Sequence, residues 1–403
     1  MSKFRYQVVD AKGKESSGTI EAGSKGDAAR LLKADGKFVA SLETDTGPSI
    51  LNMEIGSKKL KTKELVIISR QLSSLLAAGI TVIRALDMLY QQVETKNAKR
   101  CVGAIYESIQ SGKTLTEAFR EQSEYLPSIM ISMVAAGEEA GKLDEVTARL
   151  ADHFAKDSKM KNRVSSALIY PKILAVVTLL VTVGLLTFVV PGIGETIKDL
   201  GGELPALTQF VMGMSNGLVE FWWLVALIGG AIVYSFQTWK KSDNGSLIWA
   251  KIMLKAPIIG KATRMNAAAR FTRTVSTLLR SGISVLQAVE ITGATLDNKI
   301  LEKKLYDARI EIRKGSTLSK SIRPITEFPP MIYAMTAIGE ESGTLDTILD
   351  KAADYFEDEA DSATQKMTTA LEPVMIVIMA FVVLLVVGAV AMPILNMASF
   401  INI

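Results

Sequence analysis

The chain has 403 residues, 48% of them hydrophobic, and its 46 Lys and Arg against 42 Asp and Glu leave a net charge of +4. So small an excess over this length argues against a nucleic-acid binder, and the single Cys101 excludes an internal disulfide and fits a cytoplasmic domain. The only histidine, His153, has no Cys/His cluster around it in sequence, which excludes a zinc centre or a histidine-based triad.

At the start of the chain, Phe4, Tyr6 and Val8 alternate with polar neighbours as in a half-buried strand, Asp10 to Gly13 reads as a turn, and Gly18 to Ala22 as a returning strand. Lys25 to Asp35 has helical spacing, with Ala28, Leu31 and Leu32 on one face and Gly36 as its stop. Phe38 to Leu42 then closes a small sheet, so residues 1–45 are expected to form a ββαβ docking module. Met1 to Asp10 is charged and alternating, unlike a cleavable signal. Residues 46–61, containing Gly47-Pro48 and few periodic apolar positions, read as a linker.

Residues 62–170 read as a helical bundle. Leu65, Ile68, Leu72, Leu75 and Leu76 keep one helical stripe that Gly79 ends, and Val82, Ala85, Leu86 and Leu89 begin the next. A third helix carries Val102, Ile105 and Ile109 before Gly112, and Thr114 with Glu117 makes a capping-box pattern for a short fourth. Pro127 opens a fifth that ends near Gly137 to Gly141, and a sixth starts at Leu143 with no breaker before Pro171. Three uncharged apolar segments follow in turn, at Ile173 to Val190, Phe221 to Thr238 and from Pro373 onward. Each is near the roughly 20 residues that cross a hydrocarbon core. Spans are expected at 171–191, 217–239 and 373–396, with a loop at 192–216, a second bundle at 240–372 and a tail at 397–403.

The second bundle is a copy of the first. Arg70-Gln-Leu-Ser-Ser-Leu-Leu-Ala-Ala-Gly79-Ile80 returns as Arg273-Thr-Val-Ser-Thr-Leu-Leu-Arg-Ser-Gly282-Ile283. Gly137-Glu-Glu-Ala-Gly-Lys-Leu-Asp144 returns as Gly339-Glu-Glu-Ser-Gly-Thr-Leu-Asp346, and Tyr170-Pro171 is answered by Glu372-Pro373. The breakers recur at Gly282, Gly315, Pro329 and Gly343, with one residue deleted between the second and third of them. The repeated object is a polar domain plus its membrane helix, which predicts a mostly α fold: two bundles of about six helices, three spans and a small α+β module.

Positive flanks orient the spans. Lys156, Lys159, Lys161, Arg163 and Lys172 precede the first, and Lys240, Lys241, Lys251 and Lys255 follow the second, whereas the loop between them offers only Lys198 against Glu195, Asp199 and Glu203. Both bundles and the N-terminus are therefore expected in the cytoplasm, the loop and tail outside. The juxtamembrane lysines read as contacts to anionic lipid headgroups, and Trp222, Trp223 and Trp239 as an aromatic belt.

The duplicated acidic turn is the first candidate surface. Gly141 and Gly343 can end a helix in the left-handed conformation, and Asp144 and Asp346 favour the positive end of the next, so a capped turn would explain the motif. In the alternative, Glu138, Glu139, Glu340 and Glu341 join those aspartates as a doubled acidic edge for a partner or a divalent ion, although no EF-hand spacing is present. At the membrane edge, Pro171, Glu372 and Pro373 read as a boundary kink or as a polar contact between spans. Gly112-Lys113-Thr114 imitates the end of a phosphate-binding loop, but Glu107 occupies the required glycine position and the second copy has Gly315-Ser316-Thr317. No acid–base or nucleophile constellation suggests an enzyme, and three uncharged spans give a transporter little with which to line a polar path.

Together, the two Arg-to-Gly-Ile stretches, the doubled Gly-Glu-Glu-x-Gly-x-Leu-Asp, Glu372-Pro373 and three spans resemble the type II secretion F and type IV pilus PilC family over essentially the whole chain. That resemblance implies an inner-membrane platform without cofactors, which sits on a hexameric cytoplasmic assembly ATPase, contacts pilin or pseudopilin membrane helices and inner-membrane alignment components, and forms dimers or higher oligomers. Tyr170 stands where the second copy has Glu372, so any role of that glutamate belongs to one half. On this reading the filament is a type IV pilus, with the equivalent secretion platform as the alternative.

Overall fold

The computed structural model describes residues 2–9, 15–22, 26, 30–32, 38–44, 58–192 and 206–401. It divides into two units, Met1–Ser57 and Lys58–Ile403. In the first, β1 (Ser2–Val9) lies between β2 (Glu15–Ala22) and β3 (Phe38–Thr44), antiparallel to both. Tyr6 sits opposite Gly18 and Leu42, with a register shift at Gln7/Val8. The helix expected at 25–35 and the linker at 46–57 fall largely outside the described residues, of which 26 and 30–32 are helical.

The second unit opens with Leu60, which is buried and donates its backbone N–H to the Tyr125 carbonyl at 3.0 Å. The last residues of the expected linker thus belong to the bundle. Six helices follow: α1 (Thr62–Ala77), α2 (Val82–Gln92), α3 (Lys96–Gln110), α4 (Leu115–Glu121), α5 (Ser128–Glu139) and α6 (Leu143–Ala167). Thr114 and Glu117 form the expected capping box on α4. α1 ends at Gly79, where the Ile80 N–H reaches back to the Leu75 carbonyl at 3.0 Å across a left-handed glycine.

Beyond the second span the pattern repeats. α10 (Asp243–Lys255) leads into α11 (Gly260–Arg280), α12 (Val285–Thr295), α13 (Lys299–Arg313), α14 (Leu318–Ile322), α15 (Pro330–Ser342) and α16 (Leu345–Ile401). The residue missing from the second copy falls in the region of α14, five residues long where α4 has seven. Each copy packs its first helix along its last, and one hydrophobic core runs through both, including Leu72, Phe119 and Phe154 of the first and Phe271, Val275 and Phe356 of the second.

Three helices are long and apolar enough to cross a membrane. α6 stops at Ala167 and α7 (Ile169–Gly184) continues after a one-residue break at Leu168. Pro171 favours the break, because a proline removes the bond to the residue four before it, here Ala167, and crowds that carbonyl, although its counterpart Pro373 does not produce one. A π-turn (Leu185–Val189) follows. By contrast, α16 passes Pro373 as continuous helix for 57 residues, about 85 Å of axis.

The residues expected as a loop at 192–216 contain a helix, α8 (Ala206–Glu220), and the second span, α9 (Trp222–Lys241), begins after a break at Phe221 rather than at 217. α8 lies across the ends of the first and third spans remote from the bundles. There Val211 packs with Leu186, Val190, Val386 and Ala389, and Thr208 Oγ1 donates to the Ala389 carbonyl at 2.7 Å. Tertiary packing makes this helix, since Gly213 and Gly217 weaken it locally.

Candidate functional site

The acidic turn between α5 and α6 shows what each of its residues does. Gly137 lets the helices touch, since a Cβ there would come within 3.0 Å of the Val146 side chain; at Gly339 it would meet the Leu345 Cα at 2.9 Å. Gly141 and Gly343 both adopt φ 69°, the left-handed reversal that leaves other side chains strained. The Glu138 carboxylate accepts from the backbone N–H groups of Leu115 and Thr116, both at 2.8 Å, and from Thr116 Oγ1 at 2.5 Å. Glu340 repeats this on Leu318 N (2.5 Å), Ser319 N (3.1 Å) and Ser319 Oγ (2.5 Å). Each glutamate thereby takes up unpaired donors at the start of a short helix and meets its positive end. Desolvation opposes the charge on Glu138 most strongly, yet the bonds from Thr116 and Leu115 together hold its carboxyl below the usual range.

The remaining members of the motif divide. Glu139 and Glu341 are exposed at the helix end, and Asp144 is exposed in the first turn of α6. Asp346 is half-buried at the start of α16, and its backbone carbonyl accepts from Ser276 Oγ at 2.9 Å. Of the six acidic candidates, then, Glu138 and Glu340 spend their carboxylates inside the fold. Among the described residues no group of three or more His, Cys, Asp or Glu could hold a metal ion. At the membrane edge Glu372 and Pro373 are exposed, and Pro171 is half-buried.

The strongest electrostatic feature went unread in the sequence. Arg273 on α11 is buried, and its guanidinium faces Asp350 at 2.5 Å, Glu357 at 2.7 Å and Asp354, all on α16. Burial alone would weaken its charge, but hydrogen bonds and attraction from Glu357 and Asp354 outweigh it and raise the guanidinium's pKa. The three carboxylates occupy positions i, i+4 and i+7, one face of a helix. Their counterparts in the first copy are Ala148, Asp152 and Ala155, and Arg70, the counterpart of Arg273, is exposed. The signal was present as that spacing against a repeated arginine.

A second set of polar contacts joins the bundles. On α6, Lys156 approaches Asp354 at 3.7 Å, Asp157 approaches Arg270 at 3.5 Å, Arg163 pairs with Asp361, and Arg149 donates to the Arg280 carbonyl. Beside this seam His153 is buried with no partner for Nδ1, and desolvation lowers its pKa to about 4, so it stays neutral. Cys101 lies in the core, where burial pushes its thiol up to about 12 and leaves it unreactive.

The family profile of type II secretion system protein F matches twice, over residues 68–191 and 271–393, and the N-terminal domain of that family matches residues 1–43. The chain is 32% identical to the type IV pilus assembly protein PilC of Thermus thermophilus, covering 100% of both chains. It is 33% identical to the type II secretion system protein F of Aeromonas hydrophila, over 85% of this chain and 88% of the relative. To the corresponding protein of Pseudomonas aeruginosa it is 30% identical over 100% of both.

Proposed function

We propose, from the premise that this chain belongs to the type II secretion F and type IV pilus PilC family, that it is the inner-membrane platform of a type IV pilus assembly machine. As a family member it is a non-enzymatic, multi-pass membrane component. On this reading it couples a cytoplasmic assembly ATPase to the extraction and polymerisation of pilins, and works as a dimer or higher oligomer beside alignment components. The observation that carries the proposal is the continuity of each bundle with a span. α6 runs into α7 through a single break, and α16 crosses from the core of the second bundle into its span without one. A push on either bundle therefore reaches the membrane through helix axes instead of loops, while the seam between α6 and α16 makes the bundles move together.

A cytoplasmic position for both bundles is supported by the lysines and arginines flanking the spans. Glu139, Asp144 and Glu341, exposed at the two acidic turns, are the side chains of that motif left for a partner such as the ATPase. Glu372, exposed just before the third span, is a carboxylate offered to a pilin helix. A secretion platform is the second reading, favoured by the 33% identity to a relative named for type II secretion. A complemented in-frame deletion, scored for surface filaments by electron microscopy and for secreted proteins by gel, separates them. Loss of filaments with an intact secretome supports the pilus; loss of secreted proteins alone moves the chain to secretion, and no change in either contradicts the platform reading.

A further inference from the structure

A cleft between the two bundles changes character along its length. The part remote from the spans, about 480 Å3, is lined by His153, Lys156, Arg273 and Glu357. The part next to them, about 490 Å3, is lined by Val164, Leu168, Met253, Met367 and Leu371. Met160, Lys161, Arg270 and Asp297 line both, so the two are continuous. Each volume lies within the roughly 300–1,000 Å3 of small-molecule sites.

Its position identifies the occupant. Leu168 directly precedes α7 and Leu371 lies two residues before Pro373, so the apolar part opens where the chain enters the bilayer. Lys161 is about two turns further from the membrane than Leu168, about 10 Å along the helix. Polarity therefore rises away from the bilayer, in the same sense as in a phospholipid of the adjacent leaflet. The methionines add flexible, polarizable walls that adapt to a chain without fixed shape.

The polar end suits a phosphate. Arg270 Nε is buried without a hydrogen-bond acceptor, since Asp157 stands 3.5 Å away, outside bonding geometry. Its other partner, Asp297, is 81% exposed, where an ion pair is screened and readily exchanged. Lys161, 44% exposed, is the cation of the opposite wall; it pairs with Asp157 at 2.8 Å and donates to Thr62 Oγ1 at 2.8 Å, so a phosphate binds here by displacing the Asp157 carboxylate that lies between the two cations.

We propose that this cleft binds one phospholipid drawn from the bundle-facing leaflet, its phosphate between Lys161 and Arg270 and its acyl chains running past Val164, Met367 and Leu371 into the bilayer. The lipid would fill the seam where the two bundles meet the membrane. This rests on the chain being a membrane protein, and not on the choice between pilus and secretion.

The test uses the full chain purified in mild detergent and returned to vesicles containing phosphatidylglycerol with a diazirine on either the headgroup or the acyl terminus. The headgroup probe is expected to label residues 160–164 and 266–270, and the acyl-terminal probe only the spans. Native mass spectrometry is expected to find bound phospholipid on the wild type and at least about tenfold less on Ala262→Trp and Val164→Trp, which narrow the cleft from opposite walls. Arg270→Gln should release it several-fold more readily. Equal lipid on wild type and both folded tryptophan variants overturns the proposal, as does cleft labelling by the acyl-terminal probe. If the tryptophan variants do not fold, the labelling pattern of the wild type decides alone. A hydrophobic helix peptide that blocks headgroup labelling while the cleft cross-links to peptide would assign the site to a protein partner and overturn the lipid. Neither result bears on filament loss in the deletion strain.

Discussion

The two copies fold alike and are held differently. In the second, Arg273 ties the first helix to the last through three carboxylates, and bundle and span share one unbroken helix. In the first, Arg70 is exposed, two of the three carboxylate positions are alanine, and the last helix breaks at Leu168. Duplication kept the turns and the core but not the clamp. The second copy thus has the construction of a stiff strut, and the first that of a jointed one.

Removing the clamp should give the largest effect. Arg273→Leu leaves the carboxylates facing each other across an apolar side chain, and a loss of about 3 kcal/mol is expected, at the low end for a broken buried pair because Asp354 is 64% exposed. Arg70→Leu should change stability by no more than about 0.5 kcal/mol. Denaturant unfolding of the detergent-solubilised protein compares them; equal losses would erase the distinction between the copies.

Acid should act next, through the first copy's histidine. His153 titrates near 4 in the fold against 6.5 as its ordinary value, so the unfolded chain binds the proton first. Its contribution is complete above pH 6.5 and is lost as pH falls toward 4, by up to about 3 kcal/mol. His153→Gln should flatten that part of the stability profile, measured between pH 7 and pH 4. Glu138 works in a lower window: its carboxyl is held below the usual range, so its stabilisation is present above about pH 4.3 and fades as pH falls through the lowered value.

The conserved turns should respond alike in both copies. Glu138→Ala and Glu340→Ala each leave a helix start uncapped and should cost about 1–2 kcal/mol. Gly141→Ala and Gly343→Ala, at the shared φ of 69°, should cost about 1 kcal/mol each. Thermal melts that separate the members of either pair would show the turns to have diverged as the clamps did.

Much of this architecture was legible because local rules and tertiary structure agreed. Gly79, Gly112 and Gly141, with their counterparts Gly282, Gly315 and Gly343, carry every positive φ among the described residues, so punctuation read from sequence marked real helix ends. α8 was missed because its glycine- and serine-bearing run becomes helical through contacts with Leu186 and Ala389, residues distant in sequence. The acidic turn was half legible: spacing revealed the left-handed glycine, whereas the target of Glu138 lies on α4, more than twenty residues earlier. Arg273 was visible as part of a repeat, but only its three-carboxylate partner face distinguishes it from Arg70.

The central claim is that the two bundles act on the membrane as one body through the seam between α6 and α16. On the pilus reading proposed above, the most direct test is a charge exchange at Arg163 and Asp361, scored by counting surface filaments in a deletion strain that expresses each variant at wild-type level. Arg163→Asp and Asp361→Arg alone should each lose most filaments, and the double exchange should restore them. Wild-type filament numbers in both single variants would contradict the account.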